Sequence, residues 1–208
     1  SILKRQIDLL RKYPKTKRNL EERLNSKSEN ERNIARKFGK DFFDGDRRYG
    51  YGGYNYNPKY WKDVVLDFKE YWNLNSKSSI LDVGCGKGFM LYDFKRLIEG
   101  INLNGIDISS YAIENCHNEV KQILKTGNAK KLDFADNEFD YVISINTVHN
   151  LELNECVDAI KEISRVSKKI DNIKEISSRS IDKFTRRINY FREDTLNSTS
   201  RFFSNLWK

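Results

Sequence analysis

The stretch Ile80 to Phe89, reading ILDVGCGKGF, constrains the fold of this chain more than any other. Ser79 to Val83 reads as a short buried strand, and Gly84, Gly86 and Gly88 follow it at alternate positions. Helical spacing then begins at once, with Phe89, Leu91, Phe94, Leu97 and Ile98 as the apolar positions between Gly88 and Ile98. A strand that turns into a helix through glycines lets the backbone approach a ligand closely and adopt positive φ. The same alternation continues. Leu103 to Ile108 reads as a second strand, and Ser109 caps a helix packed through Ala112, Ile113 and Cys116. Gln122 to Lys125 is a weaker strand and Phe139 to Ile145 a strong one. Asn154 is placed to cap a helix packed through Val157, Ile160, Ile163 and Val166. Alternating strands and helices of these lengths predict an α/β fold, a parallel sheet with helices on both faces.

The flanks differ in character. Ile2, Leu3, Ile7, Leu9 and Leu10 predict a helix that Pro14 ends, and Leu20, Leu24, Ile34 and Phe38 a second one from about Asn19 to Phe38. From Phe42 to Tyr60 the chain becomes a Gly/Tyr-rich loop, after which Trp61, Val64, Val65, Phe68 and Trp72 return to helical spacing. The expected organisation is a basic helical extension over 1–48, a core over 49–169 and an atypical polar tail over 170–208. That tail has no Gly or Pro, and in Lys169 to Ile176 the isoleucines are separated by charges, which suits a helix as well as a strand.

The net charge of +8 is unevenly spread. Residues 1–48 carry 15 Lys/Arg against 8 Asp/Glu, residues 49–169 carry 15 against 17, and residues 170–208 carry 8 against 5. The basic excess is peripheral and reads as solvated helix faces in preference to a nucleic-acid surface. No apolar run reaches the roughly 18–20 residues that span a bilayer, and Cys85, Cys116 and Cys156 lack metal-ligand or disulfide spacing. A cytoplasmic protein with no membrane partner and no metal is expected.

The glycine turn places a ligand at the carboxyl ends of the strands. Asp107 ends the second strand, 19 residues beyond Gly88, where a carboxylate can accept both hydroxyls of a ribose. A dinucleotide fingerprint would put its third glycine at Phe89, so the spacing departs from that pattern. Gly84-x-Gly86-x-Gly88 behind Asp82 resembles motif I of class I S-adenosylmethionine (SAM) dependent methyltransferases. Gly105 to Ser109 resembles their ribose-binding motif, Gly127 to Val142 their adenine-contacting loop and following strand, and Ser144 to Leu151 the segment beside the transferred methyl. The likeness covers about residues 42–168 and is strongest to small-molecule methyltransferases related to quinone-biosynthesis enzymes. It implies a Rossmann-like sheet and SAM as cofactor. It also implies that Asp82, Gly84, Cys85, Gly86 and Gly88 line the methionine end, and that Asp107 holds the ribose. Ile108 would pack on adenine, Asn128 and Ala129 would contact its edge, and Asn146 would stand near the sulfonium. Relatives commonly have Asp where Asn128 stands.

Methyl transfer from a sulfonium is an in-line displacement whose main requirement is alignment. A base is needed only for a hydroxyl or protonated-amine acceptor. His149, just after the fourth strand, is the candidate, whereas His117 is expected on the outer face of a helix. Tyr49 and Tyr51 of the Gly/Tyr loop are expected to close over SAM or to form the acceptor pocket, with cation–π energy on the order of 1–2 kcal/mol from a sulfonium. A small-molecule acceptor is the leading expectation. The alternatives are a non-catalytic SAM-binding protein and an RNA methyltransferase, although Asn146-Thr-Val-His149 differs from an Asn-Pro-Pro-Tyr-type motif. The class I fold needs a fifth strand and a terminal hairpin, which the 39 residues after Lys169 are too few and too polar to supply. A truncated or frame-shifted chain is therefore expected, with an exposed sheet edge available for homo-oligomer pairing.

Overall fold

The computed structural model describes residues 9–14, 28–168 and, as backbone, 173–176. Most of the expected helix over 2–10 and the start of the second one lie outside these residues, as does most of the 170–208 tail. Helix α1 spans Glu29–Arg36, and it begins at Ser28 instead of running through from Asn19. Ser28 and Glu31 form a reciprocal capping box there, which satisfies two amides that would otherwise have no partner. A short helix α2 (Lys40–Phe43) opens the aromatic segment that the sequence had suggested was wholly loop. Helix α3 (Pro58–Trp72) has Asn57 as N-cap and proline in its first turn, and it buries Val64, Val65, Phe68 and Trp72.

Among the described residues, five parallel strands form one sheet in the order β3-β2-β1-β4-β5. They are β1 (Ser79–Val83), β2 (Asn102–Asp107), β3 (Leu124–Thr126), β4 (Tyr141–Ile145) and β5 (Ile173–Ile176). Every residue of β1 is buried, as expected of a central parallel strand covered on both faces. Helices α4 (Phe89–Leu97), α5 (Ser110–Glu114) and α6 (Leu153–Val166) complete the alternation. Glu152, not Asn154, caps α6, through a capping box with Glu155. His117 does not sit on a helix face either. Helix α5 stops at Glu114, and His117 caps a 3-10 turn over Asn118–Ile123 while its ring stacks on Tyr92 at 3.7 Å.

One apolar layer joins α3, α4 and the β1 face carrying Ile80, and Leu9 and Leu10 belong to it. Arg11 and Lys12 hold the Asp67 carboxylate of α3 at 2.8 and 2.7 Å. Part of the basic N-terminal segment thus pairs with the core, while both side chains stay open to solvent, 64% and 44% exposed. The opposite layer packs Leu81, Val83, Phe139 and Val142 against Cys156, Ala159, Ile163 and Val166 of α6.

The segment around Ile176 corrects the expectation of a missing fifth strand. Ile173–Ile176 pairs in parallel with Val142–Ile145, so the β4 edge expected to be bare is covered. A strand with one described neighbour needs only that ladder, which makes its alternating charges tolerable.

Candidate functional site

The order of the sheet reverses at β1, whose neighbours β2 and β4 come from opposite directions of winding. In open α/β sheets ligands bind beyond the strand carboxyl ends at such a switch point. A cavity of about 370 Å³ opens there, lined by Asp82, Gly84, Gly86, Asp107, Ile108 and Asn146 among others. Its size is that of a small-molecule pocket.

The turn after β1 is shaped by contacts that only glycine allows. Gly84 has φ +89°, and a Cβ on it would stand 1.8 Å from Oγ1 of Thr147. Gly86 has φ +56°, and a Cβ there would meet the Tyr54 ring at 3.4 Å. The amides of Gly84 and Cys85 both donate to the Ile106 carbonyl, at 2.7 and 3.1 Å, which ties the turn to β2. Gly88 lies apart from the cavity. Its missing Cβ makes room for Leu124 and Val120 instead, so its work is packing.

Asp82 and Asp107 both line the cavity, as does Glu155, whose carboxylate is held by Lys130. Asp107 accepts the Gly86 amide at 2.7 Å and the Ser109 amide at 2.9 Å, one on each oxygen. Burial raises its pKa, and those two amides offset part of the rise. Each oxygen keeps a lone pair for a ligand hydroxyl. Asp82 is 4% exposed, and no donor among the described residues bonds it. Burial first, and the charge of Asp107 second, push it up to about 8. Burial likewise raises the Cys85 thiol, which lines the cavity in its neutral form.

Ile108 is 56% exposed although apolar, and it lines the cavity with Ala129 and Asn128. The Asn128 Oδ1 accepts the Lys130 amide at 3.0 Å, which fixes the side chain in a local turn and leaves its amino group for other work. Asn146 follows β4 with φ +56°, an uncommon conformation for a non-glycine residue, and its carbonyl accepts Nδ2 of Asn150 at 2.8 Å. His149 lies in the 3-10 turn Val148–Asn150, and its side chain is outside the described part.

The Gly/Tyr loop divides. Tyr51 lines the cavity and Tyr49 does not; Tyr49 instead lies beside the Arg48 guanidinium at 5.8 Å. The aromatic wall draws on Phe38, Phe43, Tyr54, Tyr13 and Trp61, none of which the sequence pattern named as a site residue; Phe38 and Trp61 read only as helix positions. Tyr54 packs 4.3 Å from Tyr51 and 5.0 Å from Phe89, and burial holds its hydroxyl well above the usual tyrosine pKa. Only the three-dimensional path of the chain brings these rings together, since alternation and spacing say nothing about a loop's folding.

Residues 81–170 match the family model described as "Methyltransferase domain". Over 80 residues the chain is 38% identical to the sterol 24-C-methyltransferase erg6 of Schizosaccharomyces pombe. That match spans 35% of this chain and 21% of the relative, so the chain covers about a fifth of that enzyme's length. A putative S-adenosyl-L-methionine-dependent methyltransferase from Methanococcus maripaludis superposes with a TM-score of 0.50 at 14% identity, covering 70% of this chain and 74% of that one, a likeness of fold.

Proposed function

We propose that this chain, whose residues 81–170 form a class I SAM-dependent methyltransferase domain, transfers a methyl group to a small-molecule acceptor by in-line displacement. The observation that carries this reading is the pair Asp82 and Asp107 in one aromatic-walled cavity at the strand ends. The residues fit the cofactor chemically. A buried carboxylate without a described donor suits an ammonium group, Asp107 suits a ribose diol, and Ile108 with Ala129 suits an adenine face.

Bound SAM supplies a methyl already activated on a sulfonium, so the protein needs no nucleophile of its own. Its own residues align and exclude. Asp82 takes the cationic end and Asp107 the sugar. Tyr51, Tyr54 and Phe43 keep water from the reacting centre and offer aromatic faces to positive charge. Asn146 sits at the β4 end of the cavity as a polar contact near the transfer point, and His149 accepts the proton when the acceptor is a hydroxyl. The apolar lining and the similarity to a sterol methyltransferase support an organic small molecule over RNA.

Titration with S-adenosylhomocysteine (SAH) followed by incubation with methyl-labelled SAM and a fractionated cell extract tests the reading. Label is expected in the small-molecule fraction. Label in RNA would transfer the assignment to the RNA reading, and binding without transfer would leave a non-catalytic cofactor module.

A further inference from the structure

A lysine inside a glycine-rich cofactor turn ordinarily suggests a cation aimed at the ligand's anionic group. Here the Lys87 side chain is 6% exposed, does not line the cavity and ends in the aromatic segment before α3. Its Nζ donates to both oxygens of Asp44, at 2.9 and 2.6 Å. Asp44 also accepts the Tyr54 amide at 3.0 Å and the Tyr111 hydroxyl of α5 at 2.7 Å. One carboxylate therefore joins the glycine turn, the helix after the ribose-binding strand and the aromatic wall.

We propose that Asp44 is a positioning residue for the cofactor, latching the Phe42–Tyr54 segment over the glycine turn through its ion pair with Lys87. This inference rests on the SAM-binding reading of the cavity. The geometry shows what the latch fixes. The Asp44–Tyr54 bond sets the Tyr54 backbone, and the Tyr54 ring then stands against Gly86 and Phe89. Phe43, adjacent to Asp44, lies 5.6 Å from Tyr54 and 5.8 Å from Tyr51. Ser109 Oγ donates to the Phe38 carbonyl and gives the segment its second attachment at the ribose side. A buried ion pair contributes modest net stability, but removing one partner strands the other charge, so the latch fails when either side is neutralised. Burial opposes the charge on Asp44, yet the bonds from Lys87, Tyr54 and Tyr111 outweigh it and lower its pKa, so the latch is charged at neutral pH.

The test measures SAH affinity and hydrogen exchange in the full chain for wild type, Asp44→Asn and Lys87→Met. Wild type is expected to bind SAH and to gain exchange protection over residues 42–56. Both variants are expected to weaken SAH binding tenfold or more and to lose that ligand-induced protection, with exchange in β1 and β4 unchanged. A folded Asp44→Asn variant that binds within twofold of wild type and keeps the protection overturns the proposal. If Asp44→Asn does not fold, Lys87→Met decides by the same two readouts, because Asp44 keeps its Tyr54 and Tyr111 donors there. Wild type that fails to bind SAH at all would overturn the cofactor reading itself, a result distinct from a variant that binds normally.

Discussion

Gly84 at the end of β1 and Thr147 after β4 share a space that admits no additional atom. A Cβ on Gly84 would lie 1.8 Å from Thr147 Oγ1, 2.6 Å from its Cγ2 and 2.7 Å from its Cβ. The glycine turn and the segment after β4 are therefore positioned by each other, and the cavity lies between them.

Gly84→Ala is expected to push Asn146 and Thr147 out of place. The positive φ alone costs roughly 1–2 kcal/mol, and the overlap adds roughly 1–3 kcal/mol as in an overpacked core. Thermal unfolding should report the loss, and SAH binding should fall at least tenfold. Removing the obstacle in Gly84→Ala with Thr147→Gly should recover only the overlap part, because the backbone strain remains.

Asp82 makes cofactor binding pH-dependent with a definite sign. Its carboxyl is pushed up to about 8 by burial and then by Asp107, so at pH 7 it is mostly protonated in the empty cavity. Pairing with a ligand ammonium requires the ionised form. Affinity should thus rise with pH between about 5 and 8, by up to about tenfold per unit, and level off above. A proton is released on binding at pH 7, so the calorimetric enthalpy should vary with the ionisation enthalpy of the buffer. Asp82→Asn should abolish that variation. The same shift makes the ligand-free protein lose stability as pH climbs from about 4 through 8, since only the unfolded chain ionises freely.

Asp107→Asn tests the role of a carboxylate that accepts two amides. An asparagine has one acceptor oxygen, so its amino group must face either the Gly86 or the Ser109 amide. The unsatisfied donor costs about 1–3 kcal/mol. SAH affinity should drop more than tenfold, and adenosine alone should lose comparably because the defect lies on the ribose side.

Arg165 on α6 ties down the loop over residues 132–136. It donates to the carbonyls of Leu132 and Phe134 at 2.9 and 2.8 Å and to the Asp136 and Glu162 carboxylates. Glu162 in turn accepts the Leu132 amide at 2.7 Å. Arg165→Met leaves two carbonyls unpaired beside the loop that bears Asn128 and Ala129. Stability should fall by about 1–2 kcal/mol, the guanidinium being partly exposed, and SAH should bind several-fold more weakly with its pH profile unchanged.

The local pattern determined the elements that carry the cofactor site. A five-residue segment such as Ser79 to Val83, with Ile80, Leu81 and Val83 apolar, can be satisfied by a buried strand, and the glycines after it have few other uses. Asp107 was legible because it follows from where the second strand stops, and Asn146 through the resemblance of Ser144 to Leu151 to the family's segment after the fourth strand. Helix boundaries were less legible, because capping by Ser28 and Glu152 depends on which amides lack a partner once the chain has turned.

Tertiary structure decided the rest. Lys87 stands inside the glycine turn, and only the fold brings Asp44 to it from 43 residues away. Tyr49 and Tyr51 are equivalent in a Gly/Tyr-rich string, yet only Tyr51 faces the cavity, since the direction of each side chain depends on bends that composition does not encode. The polar Ile173–Ile176 becomes a strand because β4 offers an open ladder beside it. Sequence fixes spacing along the chain and therefore the strand ends where the cofactor chemistry sits. Which distant groups close over those ends depends on burial and pairing, which exist only once the chain has folded.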